Sequence, residues 1–141
     1  MRALPLAALA LFAPLGCSDG TAAQALEAAA PFQQEHHRFA GWAERTLESE
    51  RGHPRSRPEL EETLFAPLFL ESEVLGAEVR RGERVFTHGD PIPIDLEWRT
   101  AREGATELEV AELRLGTTPA VAIATETGAY RFITVYRRAA D

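Results

Sequence analysis

Apolar positions along this chain keep a helical period in its first half and a two-residue period in its second. Phe32, Phe39, Trp42 with Ala43, and Leu47 fall at steps of seven, three or four, and four, which marks one face of a helix. Glu35, Arg38, Glu44, Arg45 and Glu48 take its wet face. Pro31 suits the start of that helix, because its missing N–H goes unused there, and the stripe runs to about Ser49. Gly52 and Pro54 break the pattern. Ser56 and Glu59 then have the spacing of a capping box, and Leu60, Leu64 and Leu68 follow with Phe65 and Phe69 beside them. Pro67 ends or kinks this second helix near Ala66, since it has no N–H to donate. Residues Ser18 to Ala30 are small and helix-friendly, and read as either a tether or the first turns of a helix.

From Val74 onward the pattern alternates. Val74–Arg80 and Arg84–His88 read as two strands joined by a tight turn at Gly82. Ile92, Ile94, Leu96 and Trp98 alternate with Pro93, Asp95, Glu97 and Arg99, the clearest strand pattern in the chain, with Pro93 placing it near an edge. Ala101–Gly104 is a turn. Leu108 and Val110 alternate, and Leu113 and Leu115 resume one residue out of phase, which a bulge near Ala111–Glu112 explains. Val121–Thr125 and Ala129–Arg137 form a last hairpin. In its final strand Tyr130, Phe132, Thr134 and Tyr136 share one face, and Ile133 and Val135 the other, so that strand is central or covered. The expected fold class is α+β, with two N-terminal helices packed on one face of an antiparallel sheet of about five to six strands. Residues 31–141 form its single domain.

The first residues carry a separate message. Arg2 precedes an apolar run from Ala3 to Leu15, followed by Gly16, the chain's one cysteine at Cys17, and then Ser18 and Asp19. This start resembles a bacterial lipoprotein signal peptide, with Gly16 as the small residue before the lipid-bearing cysteine. Pro14 stands where that family usually carries Leu, and Leu15 follows it. The resemblance implies removal of residues 1–16 and acyl chains on Cys17. Residues 17–30 are then a lipid-anchored tether or the start of a helix. Ordinary secretion, with a cut after Ala23 or Ala25 and Cys17 discarded, is the alternative, giving a secreted or soluble periplasmic protein. The apolar run is too short for an uncleaved anchor, which needs about 20 apolar residues. The expected location is the cell envelope, lipid-anchored to a bacterial membrane.

Composition narrows the partners. With 15 bases against 22 acids the chain carries a net charge of −7. Nucleic-acid binding rests on bases that neutralise phosphates, so no nucleic acid is expected. A lone cysteine forms no internal disulfide. All the bases are Arg, and Lys and Asn are absent, a bias that codon usage explains without any role for Arg.

The run Val74-Leu75-Gly76-Ala77-Glu78-Val79-Arg80-Arg81-Gly82-Glu83-Arg84-Val85-Phe86-Thr87-His88-Gly89, behind a long and a shorter helical segment, resembles the front of bacterial extracytoplasmic sensor domains of the Cache/PAS-like kind. That resemblance implies a curved antiparallel sheet and a ligand-binding role.

Chemistry is sparse. His36 and His37 are adjacent and point about 100° apart on a helix, so they do not form a shared ligand pair. No HExxH or paired Cys/His spacing accompanies His53 and His88. Glu61 with Glu62, and Glu71 with Glu73, read as solvated acids rather than a hydrolytic pair. Ser18, Ser49, Ser56 and Ser72 lack a nucleophile elbow. No catalytic residue, metal or cofactor is expected. The binding hint is aromatic: Trp98, Tyr130 and Phe132, with Tyr136 nearby, either line a concavity of the sheet or fill its core. Arg131 points away from the two tyrosines. The expectation is a non-enzymatic envelope lipoprotein that binds a small ligand or a partner protein. The alternatives are an interaction or structural lipoprotein without a pocket, and a small periplasmic enzyme.

Overall fold

A computed structural model of the chain describes residues 16–138. The apolar run Ala3–Leu15 lies outside the described residues. Helix α1 spans Gly16–Ala29, α2 Gln33–Ser49 and α3 Arg57–Phe65. Six strands follow: β1 Val74–Arg81, β2 Arg84–Gly89, β3 Arg99–Glu103, β4 Thr106–Leu115, β5 Thr118–Thr127 and β6 Tyr130–Arg137. The α+β class, with helices packed against one antiparallel sheet, is what the alternation and the helical stripes led us to expect.

The helical region begins earlier than Pro31. A single 3-10 turn, Ala30–Phe32, joins α1 to α2, and the flanking residues Ala29 and Gln33 keep α-helical angles. Pro31 thus kinks a continuing helix instead of starting one. It removes one backbone bond and crowds the preceding turn. Residues 17–30 are helix and not a loose tether. Their packing positions, Ala25 and Ala29, are buried, with Leu26 and Ala28 partly so. The second helix follows expectation: Ser56 accepts from the Glu59 amide while the Glu59 side chain accepts from the Ser56 amide, and Pro67 sits in a closing 3-10 turn, Ala66–Leu68.

The sheet order is β2-β1-β6-β5-β4-β3, and every neighbouring pair is antiparallel. Four hairpins close with two-residue turns, each led by a glycine at φ between 58 and 64°. Glycine reaches that region without a side-chain clash. The β1–β2 hairpin and the β3–β6 meander are joined where β1 pairs with β6. Strand β6 is interior, as its two apolar faces require.

Three readings change: Ala101–Glu103 belong to β3, with the turn only at Gly104 and Ala105, and two strand readings fail. Ile92–Arg99 is not a strand. Residues 90–98 carry the chain from one edge of the sheet, β2, to the other, β3, and only Arg99 enters the ladder. The segment crosses the face opposite the helices, where Ile92, Leu96 and Trp98 pack on Ala111, Ala120, Ala122, Ala124, Ile133 and Val135. Alternation there reflects contact with a sheet, not membership in it, and Pro91 and Pro93 have no N–H for a ladder. Ile94 sits in a turn and is 99% exposed. The bulge near Ala111–Glu112 is also absent. The β4–β5 register runs unbroken from Glu109↔Ala124 to Leu115↔Thr118. The change of phase is a change of face: Leu108 and Val110 look to the helices, and Ala111, Leu113 and Leu115 look to the crossing segment. The irregularity lies in β1, where the register with β6 shifts between Val74 and Gly76.

Two clusters fill the helix side. Under α2 and α3, Phe39, Leu47, Leu64 and Phe65 meet Val79, Phe86 and Phe132. Under α1, Ala25 and Ala29 meet Leu108, Val110, Val121, Ile123 and Tyr136. Each large side chain fully buried here contributes about 1.5–3 kcal/mol. Trp42 is only half-buried; its indole N–H donates to the Thr63 carbonyl at 2.7 Å and ties α2 to α3. The β2 edge is covered by α3, with the Arg57 guanidinium donating to the Val85 carbonyl. That blunts an edge otherwise open to strand addition.

Candidate functional site

Trp98, Tyr130 and Phe132 do not form one site. Tyr130 and Phe132 lie on the helix side of β6, with ring centroids 6.0 Å apart, and both are buried. Trp98 lies on the opposite face, with the Arg131 guanidinium 5.2 Å over its ring. The sheet separates them, because odd and even residues of β6 point to opposite faces. Phe132 is core. Tyr130 is core with a polar tip: its hydroxyl donates to Glu48 at 2.7 Å, and Arg81 lies 5.4 Å over its ring. Burial first, then that hydrogen bond, push its pKa up. Trp98, the last residue of the crossing segment, is half-buried against the sheet. Arg131 does point away from the tyrosines, and it binds Glu109 at 2.7 Å and Glu126 at 3.0 Å.

The histidines do not gather. Among the described residues no group of three or more His, Cys, Asp or Glu side chains is placed to hold a metal ion. His36 is a core residue, fully buried, with Nδ1 2.6 Å from the Thr134 hydroxyl and Nε2 2.8 Å from that of Thr125. It seams the two clusters, one from each end of the α1–α2 kink. Burial, with a smaller push from His37, lowers its pKa to about 3. The ring is therefore neutral, and one nitrogen donates while the other accepts. His88 stacks on Phe65 at 5.4 Å.

Beside this seam, Phe32 stacks on Tyr136 at 4.5 Å with rings 2° from parallel. The Tyr136 hydroxyl is buried. Burial raises its pKa. On the first turn of α2, the Glu35 carboxyl bonds to that of Glu71. Burial first, then that bond and the charges of Glu71 and Glu73, raise Glu35 to about 7, against a lowering by Arg38. A bond between two carboxyls requires one shared proton.

A cleft of about 650 Å³ opens next to this group. Helix α1 gives one wall through Gln24, Glu27 and Ala28, and the kink adds Pro31 and Phe32. Glu73, Glu112 and the end of β6 close the other side. There Arg138 bonds to Glu112 at 2.6 Å, and the Arg137 amide donates to the Glu73 carbonyl at 2.8 Å. The cleft combines an apolar wall with an ion pair and further acids, a combination that suits binding of a small polar molecule. It escapes notice in the sequence because its wall, α1, is built on alanine. The signal present was the spacing of Ala22, Ala25, Leu26 and Ala29, one helical stripe of weak residues.

These features define an α+β domain with a helix-walled cleft. Compared with protein-family models, curated proteins and solved structures, the chain finds no match. Among the described residues no helix is long and apolar enough to cross a membrane.

Proposed function

We propose that this chain is a non-enzymatic binding domain of the bacterial cell envelope, anchored by acyl chains on Cys17, that takes a small ligand in the cleft beneath α1. The observation that carries the ligand reading is the cleft itself, about 650 Å³ and walled by α1, the kink at Pro31 and the Arg138–Glu112 ion pair. Packing supports the cut before Cys17. A cut after Ala25 removes a buried residue of α1, and a cut after Ala23 removes the turns before it. Cys17 stands eight residues before Ala25, about 12 Å along a helix, so acyl chains there hold the domain close to the bilayer. The likeness of the first hairpin to Cache/PAS-like sensor domains adds an analogy of fold alone.

Thermal shift of the full chain against a panel of small metabolites tests the ligand reading, since a ligand of the native state raises its stability. Gln24→Trp fills the cleft from an exposed position and should abolish any shift. A shift unchanged in that variant, or none across the panel, overturns the reading. Intact mass tests the anchor: acyl mass on Cys17 supports it, and an N-terminus at Gln24 or Leu26 refutes it. A second reading, a protein-interaction lipoprotein, is favoured by the exposure of Phe69 and Leu70.

A further inference from the structure

Leu70 is 95% exposed and Phe69 51%, two of the three large exposed hydrophobic residues among those described. They are adjacent, on the turn between the 3-10 turn Ala66–Leu68 and β1. This turn is held from both sides. The Phe69 amide donates to the Ala66 carbonyl at 3.2 Å, and the Glu71 amide to the Leu68 carbonyl at 3.1 Å. The Phe69 ring rests against His88 at 5.5 Å, His88 stacks on Phe65, and Phe65 stacks on Phe39 at 5.8 Å in the core. Leu70 is therefore presented outward by a braced support. A preset apolar anchor loses little freedom on binding.

Charge selects the occupant. Glu71 follows Leu70 directly and Glu73 stands two residues further on, and Glu35 is bonded to Glu71. Arg38 is the one base among the side chains acting on Glu35. An acidic rim repels an anionic lipid surface and attracts a cationic polypeptide. An apolar centre inside a complementary charged rim is the anatomy of a protein-binding hot spot.

We infer that the Phe69–Leu70 corner docks a basic, amphipathic segment of a partner protein, with Leu70 as the apolar anchor and Glu71 and Glu73 as its charged rim. Neither Phe69 nor Leu70 lines the cleft beneath α1. Glu73, one of the two rim acids, also lines that cleft, so Leu70→Ser, which leaves the cleft lining intact, is the variant that tests the corner separately from the small-ligand reading.

The probe is an 18-residue helical peptide of Leu and Lys, apolar on one face and basic on the other, labelled for fluorescence anisotropy against the full chain. A matched Leu and Glu peptide is the control. Binding of the basic peptide alone, weakened tenfold or more by Leu70→Ser, is the expected result. Salt should weaken it, and Glu71→Gln should flatten that salt dependence. Leu70 is almost wholly exposed, so Leu70→Ser leaves the core untouched, and circular dichroism verifies the fold. Four results overturn the inference: no binding of the basic peptide; equal binding by Leu70→Ser; Leu70-dependent binding to anionic phosphatidylglycerol vesicles in place of the peptide; or a dimer in sedimentation that Leu70→Ser dissolves.

Discussion

His36 should make the fold acid-labile, and the size of the effect follows from its setting. Its ring is fully buried between two threonine hydroxyls, and its pKa falls from 6.5 to about 3. In the unfolded chain the ring takes a proton below about pH 6.5, whereas the folded chain refuses it until about pH 3. The unfolded state then binds more protons, so the contribution is whole above pH 6.5 and shrinks as pH falls toward 3. At pH 5, some 1.5 units below the unfolded value, the loss is about 2 kcal/mol at 1.36 kcal/mol per unit. Glu35 acts in the opposite sense. Its raised pKa, about 7 against 4.5, makes the fold gain stability as pH falls through that window. The wild-type profile mixes the two, so the His36→Gln variant is the necessary comparison. Gln keeps a donor and an acceptor but does not titrate. Urea melts at pH 7.5 should show it less stable by about 1–3 kcal/mol, the range for disturbing a buried hydrogen-bonded group. At pH 5 that deficit should shrink by about 2 kcal/mol. An equal deficit at both pH values would refute the reasoning, because it would mean that His36 is not held neutral by the fold.

Three further outcomes follow from the geometry. In Gly76→Ala the new Cβ meets the Asp90 carbonyl oxygen at 2.6 Å, a backbone atom, so the start of the crossing segment must shift; thermal melts should show a loss of about 1–3 kcal/mol, and a wild-type midpoint would refute the close approach. Glu35→Gln keeps the pair with Glu71 without needing the shared proton; its stability should exceed that of the wild type above pH 7 and vary less between pH 4.5 and 7, as read from melting temperature against pH. Phe132→Ala should cost about 3–5 kcal/mol as a core truncation, and Trp98→Ala, half-buried on the other face, about half of that; denaturant midpoints in the reverse order would refute the placement of the two rings.

The parts of the fold legible in the sequence are those where one local signal has one meaning. Gly82 between alternating runs is a hairpin wherever the sheet lies, and the reciprocal spacing of Ser56 and Glu59 is a helix start. The two apolar faces of β6 correctly placed it inside the sheet. Ile92–Trp98 misled because alternation reports which side chains meet an apolar surface and is silent on whether N–H groups are paired. Pro91 and Pro93 held the needed information: two missing donors in three residues. The grouping of Trp98 with Tyr130 failed for the same reason, since faces cannot be matched between segments whose pairing is unknown. Helix α1 was half-legible. Alanine packs where helix and sheet approach closely, yet its small apolar surface gives a faint stripe.

Where the cleft lies follows from how the sheet is covered. The interior strands β5 and β6 are apolar on both faces, so both need a cover. The helices supply one. The other falls to the one connection that is not a hairpin, residues 90–98, which has to travel from β2 to β3 in any case. A single extended segment is narrow, and it lies over alanines at 111, 120, 122 and 124, which let it approach the sheet closely. That leaves little volume on its side: the depression beside Trp98 holds about 210 Å³. On the helix side, the kink at Pro31 turns α1 away from α2 and onto β3, β4 and β5. Space opens where the diverging helix passes the ends of β4 and β6, and there the 650 Å³ cleft lies. A straight helix through residue 31 would alter that wall. Pro31→Ala restores the missing donor, so it should raise helicity by circular dichroism while weakening whatever ligand the cleft takes; increased helicity with ligand response intact would separate the kink from the site.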